Sequence, residues 1–122
     1  MALTKLFHGA DSSKILHILN TGKMIPDSQG DIYFDETAFQ NCFVHGVDSA
    51  KRSSFVLKVE VELDGLHFYR TQKSGNPTTL IVKTTSPISV KVLEMFVRLG
   101  TRDEGFNIEH IIGEEKIRLW LQ

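Results

Sequence analysis

The 122-residue chain has one cysteine, three prolines, one tryptophan and two tyrosines, and its formal net charge is -1. Each scarcity excludes something. A lone Cys42 cannot pair within the chain, so there is no disulfide framework, and one thiol fits a reducing compartment. Pro26, Pro77 and Pro87 mark loops rather than a linker. A charge this close to zero gives no whole-molecule field that draws in nucleic acid or an anionic membrane, although a local basic patch stays open. No apolar run approaches about 18 residues, so nothing reads as membrane-spanning. Met1 to Lys5 lacks the apolar core of a signal peptide, which leads us to expect a cytoplasmic protein. Repeats and low-complexity tracts are absent.

What is present is globular. Hydrophobic residues are 41% and charged residues 24%, close to the averages for folded domains. The length predicts a single domain over residues 1–122, with roughly two thirds of the unfolded surface buried on folding.

The two halves differ in period. Asp11-Ser12-Ser13 reads as a helix N-cap cluster. Ile15, Leu16, Ile18 and Leu19 then form a broad apolar face that ends near Gly22. A short strand is expected over Asp31 to Phe34, followed by a second helix around Ala38, Phe39, Cys42 and Phe43, closed by Gly46. From Ser54 the period becomes two. Phe55, Leu57, Val59, Val61 and Leu63 alternate with Val56, Lys58, Glu60 and Glu62 in one long strand. Asp64-Gly65 signals a hairpin, and Leu66 to Tyr69 the returning strand. Arg70 to Thr78 reads as a loop. Strands are expected over Thr79 to Lys83, Ile88 to Val97, Phe106 to Ile112 and, from the alternation of Ile117, Leu119 and Leu121, at the end. The fold class is α+β, with two helices in the N-terminal half, six to eight strands and mostly antiparallel pairing.

Several chemistries have no motif. There is no GxxxxGK[ST] phosphate loop, no HExxH and no paired CxxC. The five histidines and Cys42 show no metal-ligand spacing, so no metal is expected. Three short segments stand out. Phe7-His8-Gly9 ends an apolar N-terminal strand just before a helix cap. Ile32-Tyr33-Phe34 puts two aromatics on a short strand. Asn107-Ile108-Glu109-His110 puts a carboxylate in an apolar strand, where burying it unpaired is costly. Glu109 therefore reaches solvent at an edge or lines a cleft.

In their order and spacing these segments resemble the ADP-ribosyltransferase superfamily, in its diphtheria-toxin-like and poly(ADP-ribose)-polymerase-like branch with a His-Tyr-Glu triad. The resemblance covers nearly the whole chain and implies two split antiparallel sheets around an NAD⁺ cleft. It implies NAD as co-substrate and catalytic roles for His8, Tyr33 and Glu109. His8 would hydrogen-bond ribose hydroxyls, and Gly9 would present its backbone to the nicotinamide amide. Tyr33 would stack on the nicotinamide ring, with Phe43 as a second clamp. Glu109 would stabilise the cation that forms as the nicotinamide–ribose bond breaks. Asn107, two residues before Glu109, and Arg70 would meet the acceptor.

Gly75-Asn76-Pro77-Thr78 is similar to a segment of rifamycin ADP-ribosyltransferases. Those carry an aspartate just before it, where this chain has Arg70 and no aspartate between Asp64 and Gly75.

The implied activity is NAD-dependent mono-ADP-ribosyl transfer, or NAD glycohydrolysis, by a toxin or phage or bacterial modifier that could be delivered into a target cell. The acceptor, macromolecule or small molecule, is left open and nucleic acid is not excluded. Acceptor choice would rest on the loops Lys51 to Ser54, Arg70 to Thr78 and Leu99 to Gly105. Two alternatives accompany this expectation: the same fold as a binding module that has lost catalysis, and an RNA-processing relative similar to tRNA 2′-phosphotransferases.

Overall fold

The structure is a computed structural model that describes residues 3–37, 39–71, 79–100, 103 and 105–122. Its strands are β1 (Leu3–Gly9), β2 (Lys23–Met24), β3 (Asp31–Asp35), β4 (Val47–Asp48), β5 (Ser53–Glu62), β6 (His67–Thr71), β7 (Thr79–Lys83), β8 (Ile88–Leu99) and β9 (Asn107–Ile112). The helices are α1 (Ser12–Thr21) and α2 (Glu114–Leu121), with 3-10 turns over Phe39–His45 and Ser49–Lys51. No helix among the described residues is long and apolar enough to cross a membrane.

Among the described residues all strand pairing is antiparallel, in the order β2-β8-β5-β1-β3-β7-β6, with β9 also on β8 and β4 on β5. The expected α+β class therefore holds. The sheet nearly divides in its middle. β1 runs beside β5 for seven residue pairs, from Leu3↔Glu62 to Gly9↔Val56. It meets β3 at the single pair Phe7↔Asp35.

Alternation places the core. Phe55, Leu57, Val59 and Val61 of β5 face Leu6, Met95, Val97 and the α1 residues Ile15, Ile18 and Leu19. On the other face Val56, also fully buried, joins Cys42, Phe43 and Phe96 in a second, smaller core. The expectation of a single apolar face on β5 is corrected here. The 39–45 turn covers the start of that strand from the opposite side.

α1 begins where the sequence indicates. The Asp11 carboxylate accepts from Lys14 N at 2.9 Å, and Asp48 accepts from the Ser12 amide at 3.0 Å and from its hydroxyl. Gly22 ends the helix in the left-handed region at φ 69°, a conformation glycine adopts without a Cβ penalty.

Two element assignments are corrected. The second N-terminal helix is a 3-10 turn, with Ala38 outside the described residues. The last segment is a helix rather than a strand. Ile117 and Leu121 satisfy a period of two, but they also stand one helical turn apart. Both are buried, while Leu119 between them is 62% exposed. Glu114 and Glu115 lie in the first turn, where the helix dipole favours carboxylates. One α-helix is thus N-terminal and the other C-terminal.

Candidate functional site

A cavity of about 1170 Å³ opens where β1 and β3 separate. Its residues come from both sides of the split. His8 and Gly9 enter from β1, Asp31, Tyr33 and Asp35 from β3, and Thr79 and Ile81 from β7. Lys14 and His17 of α1 and His45 of the 39–45 turn also line it.

His8 sits at the point of divergence. One residue beyond the Phe7↔Asp35 pair the main chains no longer bond to each other, and the imidazole takes over: His8 Nδ1–H donates to the Tyr33 carbonyl at 2.7 Å. A carbonyl only accepts, so Nδ1 carries the proton, and Nε2 of the neutral ring is an acceptor. The ring also lies against Phe34, with centroids 5.6 Å apart. Burial lowers the His8 pKa to about 4 against the pull of the Tyr33 bond, and nearby Lys14 and His45 add to the fall. The imidazole is therefore neutral at physiological pH.

Gly9 lines the same cavity, but a different neighbour accounts for its missing side chain. A Cβ built on Gly9 would lie 2.2 Å from the Cys42 carbonyl oxygen. Close packing of β1 on the 39–45 turn requires glycine there whether or not a ligand is bound.

Both faces of β3 line the cavity: Tyr33, 46% exposed, shares one with Asp31 and Asp35, and Ile32 and Phe34 share the other, on which His8 lies. The Tyr33 hydroxyl donates to Asp31 Oδ2 at 3.4 Å, and Lys83 Nζ holds Asp31 Oδ1 at 2.7 Å. Partial desolvation first, then the Asp31 and Asp27 carboxylates, raise the Tyr33 pKa, so it remains a phenol. Asp35, buried on the Tyr33 face, accepts from the Thr37 amide at 2.8 Å. Cys42 lines the cavity as a thiol rather than a nucleophile. Burial, helped by the Asp35 charge, pushes it up to about 12 against hydrogen bonds from the Gly9 and Asp35 backbones.

The other expected site residues lie elsewhere. Glu109 is on β9 and accepts from Trp120 Nε1 at 2.9 Å. β5 and β8 both intervene between β1 and β9. Three strand spacings of about 4.8 Å put Glu109 roughly 14 Å from β1. Asn107 shares that strand and is likewise absent from the cavity wall. Phe43 is 1% exposed in the second core, with the Arg98 guanidinium 5.0 Å from its ring centre. Helical spacing identified an apolar face correctly, but that face packs on Val56 rather than on a ligand. Arg70 is bound to Glu36, Nε to Oε1 at 2.6 Å, and its ion pair raises its pKa. It pairs with Leu80 across β6 and β7, on the sheet face opposite Tyr33 and Ile81. Gly75 to Thr78 lies outside the described residues.

Sequence reasoning missed Lys14, His17, His45, Asp31, Asp35 and Thr79. His17 follows Lys14 by three residues in α1, which places both on one helical face, and this signal was readable. Nothing local in the sequence pairs β7 with β3 and so brings Thr79 opposite Asp35. Comparison with protein-family models, curated proteins and solved structures found no match.

Proposed function

We propose that the protein is an ADP-ribosyltransferase-like module whose cavity binds NAD⁺ or an ADP-ribosyl group. The observation that carries this reading is the meeting of His8 and Tyr33 in one cavity, from strands that part after a single residue pair. The neutral His8 ring offers Nε2 to a ribose hydroxyl. Tyr33 offers an exposed ring face to a flat heterocycle. Lys14, beside His17 and His45, provides the positive charge that a diphosphate needs. The Ser12 and Lys14 amides at the start of α1 are not available for that task, since Asp48 and Asp11 already accept from them. A volume of about 1170 Å³ exceeds the roughly 300–1,000 Å³ of ordinary small-molecule sites and suits a dinucleotide.

Binding is the favoured reading because Glu109 is committed to Trp120 on the far side of β5 and β8. A second reading, ADP-ribosyl transfer with release of nicotinamide, is favoured by Asp31 and Asp35. These cavity-lining carboxylates flank Tyr33 on its face of β3. Negative charge near the ribose C1′ stabilises the developing oxocarbenium ion.

Calorimetry with NAD⁺ and ADP-ribose, alongside a nicotinamide-release assay, separates the two. The binding reading expects saturable heat that His8→Ala abolishes, with no release above background. The transfer reading expects release that falls in Asp35→Asn and is unchanged in Glu109→Gln. Absence of binding by both ligands overturns both readings.

A further inference from the structure

The cavity wall reaches the edge strand β6 at Thr71. Antiparallel register aligns Tyr33 of β3, Ile81 of β7 and Tyr69 of β6 in one row across three strands. Residues directly opposite each other in a ladder share a sheet face, so Tyr69 stands on the same face as the cavity-lining Tyr33 and Ile81, one strand beyond them. Ile81 is buried, whereas Tyr33 and Tyr69 are 46% and 41% exposed. The tyrosine backbones are two strand spacings apart, about 9.6 Å. That is enough for one flat ring between two aromatic walls, with Ile81 as the floor.

The ends of the row are polar. One end carries the Asp31–Lys83 ion pair, and in the same register row His67 of β6 lies opposite Lys83. The Tyr33 hydroxyl reaches that end, donating to Asp31 Oδ2 at 3.4 Å. The other end carries Asp35, Thr79 and Thr71 in register. A floor that is apolar and ends that both donate and accept suit a heterocycle with polar edges better than a hydrocarbon ring.

We propose that Tyr69 is a ligand-binding residue, forming with Tyr33 and Ile81 a slot that takes a flat nitrogen heterocycle. This rests on the reading of the cavity as a nucleotide site. Tyr69 supplies the second aromatic wall that Phe43, buried in the other core, does not. The slot extends the cavity along β6 and sets selectivity at the heterocycle rather than at the sugar or the phosphates.

The test is NMR of the ligand protons with wild type, Tyr69→Leu and Tyr69→Phe, using NAD⁺, ADP-ribose, nicotinamide and adenosine as separate probes. Tyr69 is half exposed on an edge strand, so both variants are expected to fold, which circular dichroism checks. A ring held between two aromatics shows upfield-shifted protons. Wild type and Tyr69→Phe should shift one heterocycle equally. Tyr69→Leu should lose about half of that shift and bind about tenfold more weakly, some 1.4 kcal/mol, in keeping with the loss of one base–aromatic stack. Wild-type shifts and affinity in Tyr69→Leu would overturn the slot and leave the nucleotide reading standing. If nicotinamide or adenosine binds in a Tyr69-dependent way while NAD⁺ and ADP-ribose do not, the slot stands and the nucleotide reading fails. If wild type binds none of the four probes, both fail.

Discussion

His8 and Glu109 occupy the same face of the same sheet, and their surroundings diverge completely. Around His8 the sheet splits, main-chain pairing stops, and a side chain bonds to the orphaned Tyr33 carbonyl. Around Glu109 the ladder continues unbroken from Leu99↔Asn107 to Glu94↔Ile112, and α2 packs alongside with Trp120 reaching the carboxylate. Trp120 also meets Phe55 edge-to-face, with centroids 5.8 Å apart. One region exposes polar groups to a cavity because its strands separate. The other satisfies its polar group internally because its strands do not. Function is expected where a regular element is interrupted, and the interruption here is the β1/β3 junction.

The largest expected effect separates this cavity from the second core. Phe43→Ala should destabilise the protein by about 4 kcal/mol, as for other buried phenylalanines, read by chemical denaturation. The folded fraction should keep its affinity for NAD⁺. A tenfold loss of affinity in that fraction would return Phe43 to the binding site.

The next effect is acid sensitivity. The folded His8 pKa of about 4 lies below the ordinary value of 6.5. The unfolded chain therefore takes up a proton first as pH falls. The stabilisation due to neutral His8 is complete above about pH 6.5, and it is lost progressively as pH drops through 4. The loss amounts to at most about 3 kcal/mol. Denaturation curves between pH 7 and 4 should show this slope, and His8→Gln should flatten it. An equal slope in the variant would contradict the burial of a neutral imidazole.

Glu109→Gln should do least. An exposed carboxylate accepting one indole N–H contributes little, and the amide oxygen can accept the same bond. A stability change within about 0.5 kcal/mol is expected, with ligand affinity unchanged. A large loss of affinity would place Glu109 in the site and erase the contrast between the two regions.

Much of the fold was legible because period and burial coincide. The alternation from Phe55 to Leu63 marked β5, and Asp11 marked the start of α1. The strand placement of His8 and Tyr33 was legible too, His8 at a strand end just before the Asp11 cap and Tyr33 within a short strand. The misreadings have physical causes. Ile117 and Leu121 satisfy both periods, and the exposed Leu119 that decides between them is indistinguishable by hydropathy. Phe43 has the spacing of a helix face, but spacing does not say what the face meets. Glu109 was placed on a strand, and correctly so. Whether that strand lies beside β1 depends on long-range pairing with β8, which no local pattern encodes.

The central claim is that ligand chemistry belongs at the β1/β3 split and not at β9. Titrating isotopically labelled protein with NAD⁺ and following the backbone amides and the Trp120 indole N–H tests it most directly. The account predicts saturable shifts at Gly9, Tyr33, Phe34 and Thr79, with Glu109 and the Trp120 indole unmoved. Shifts centred on Glu109 and Trp120 that leave Gly9 and Tyr33 in place would contradict it.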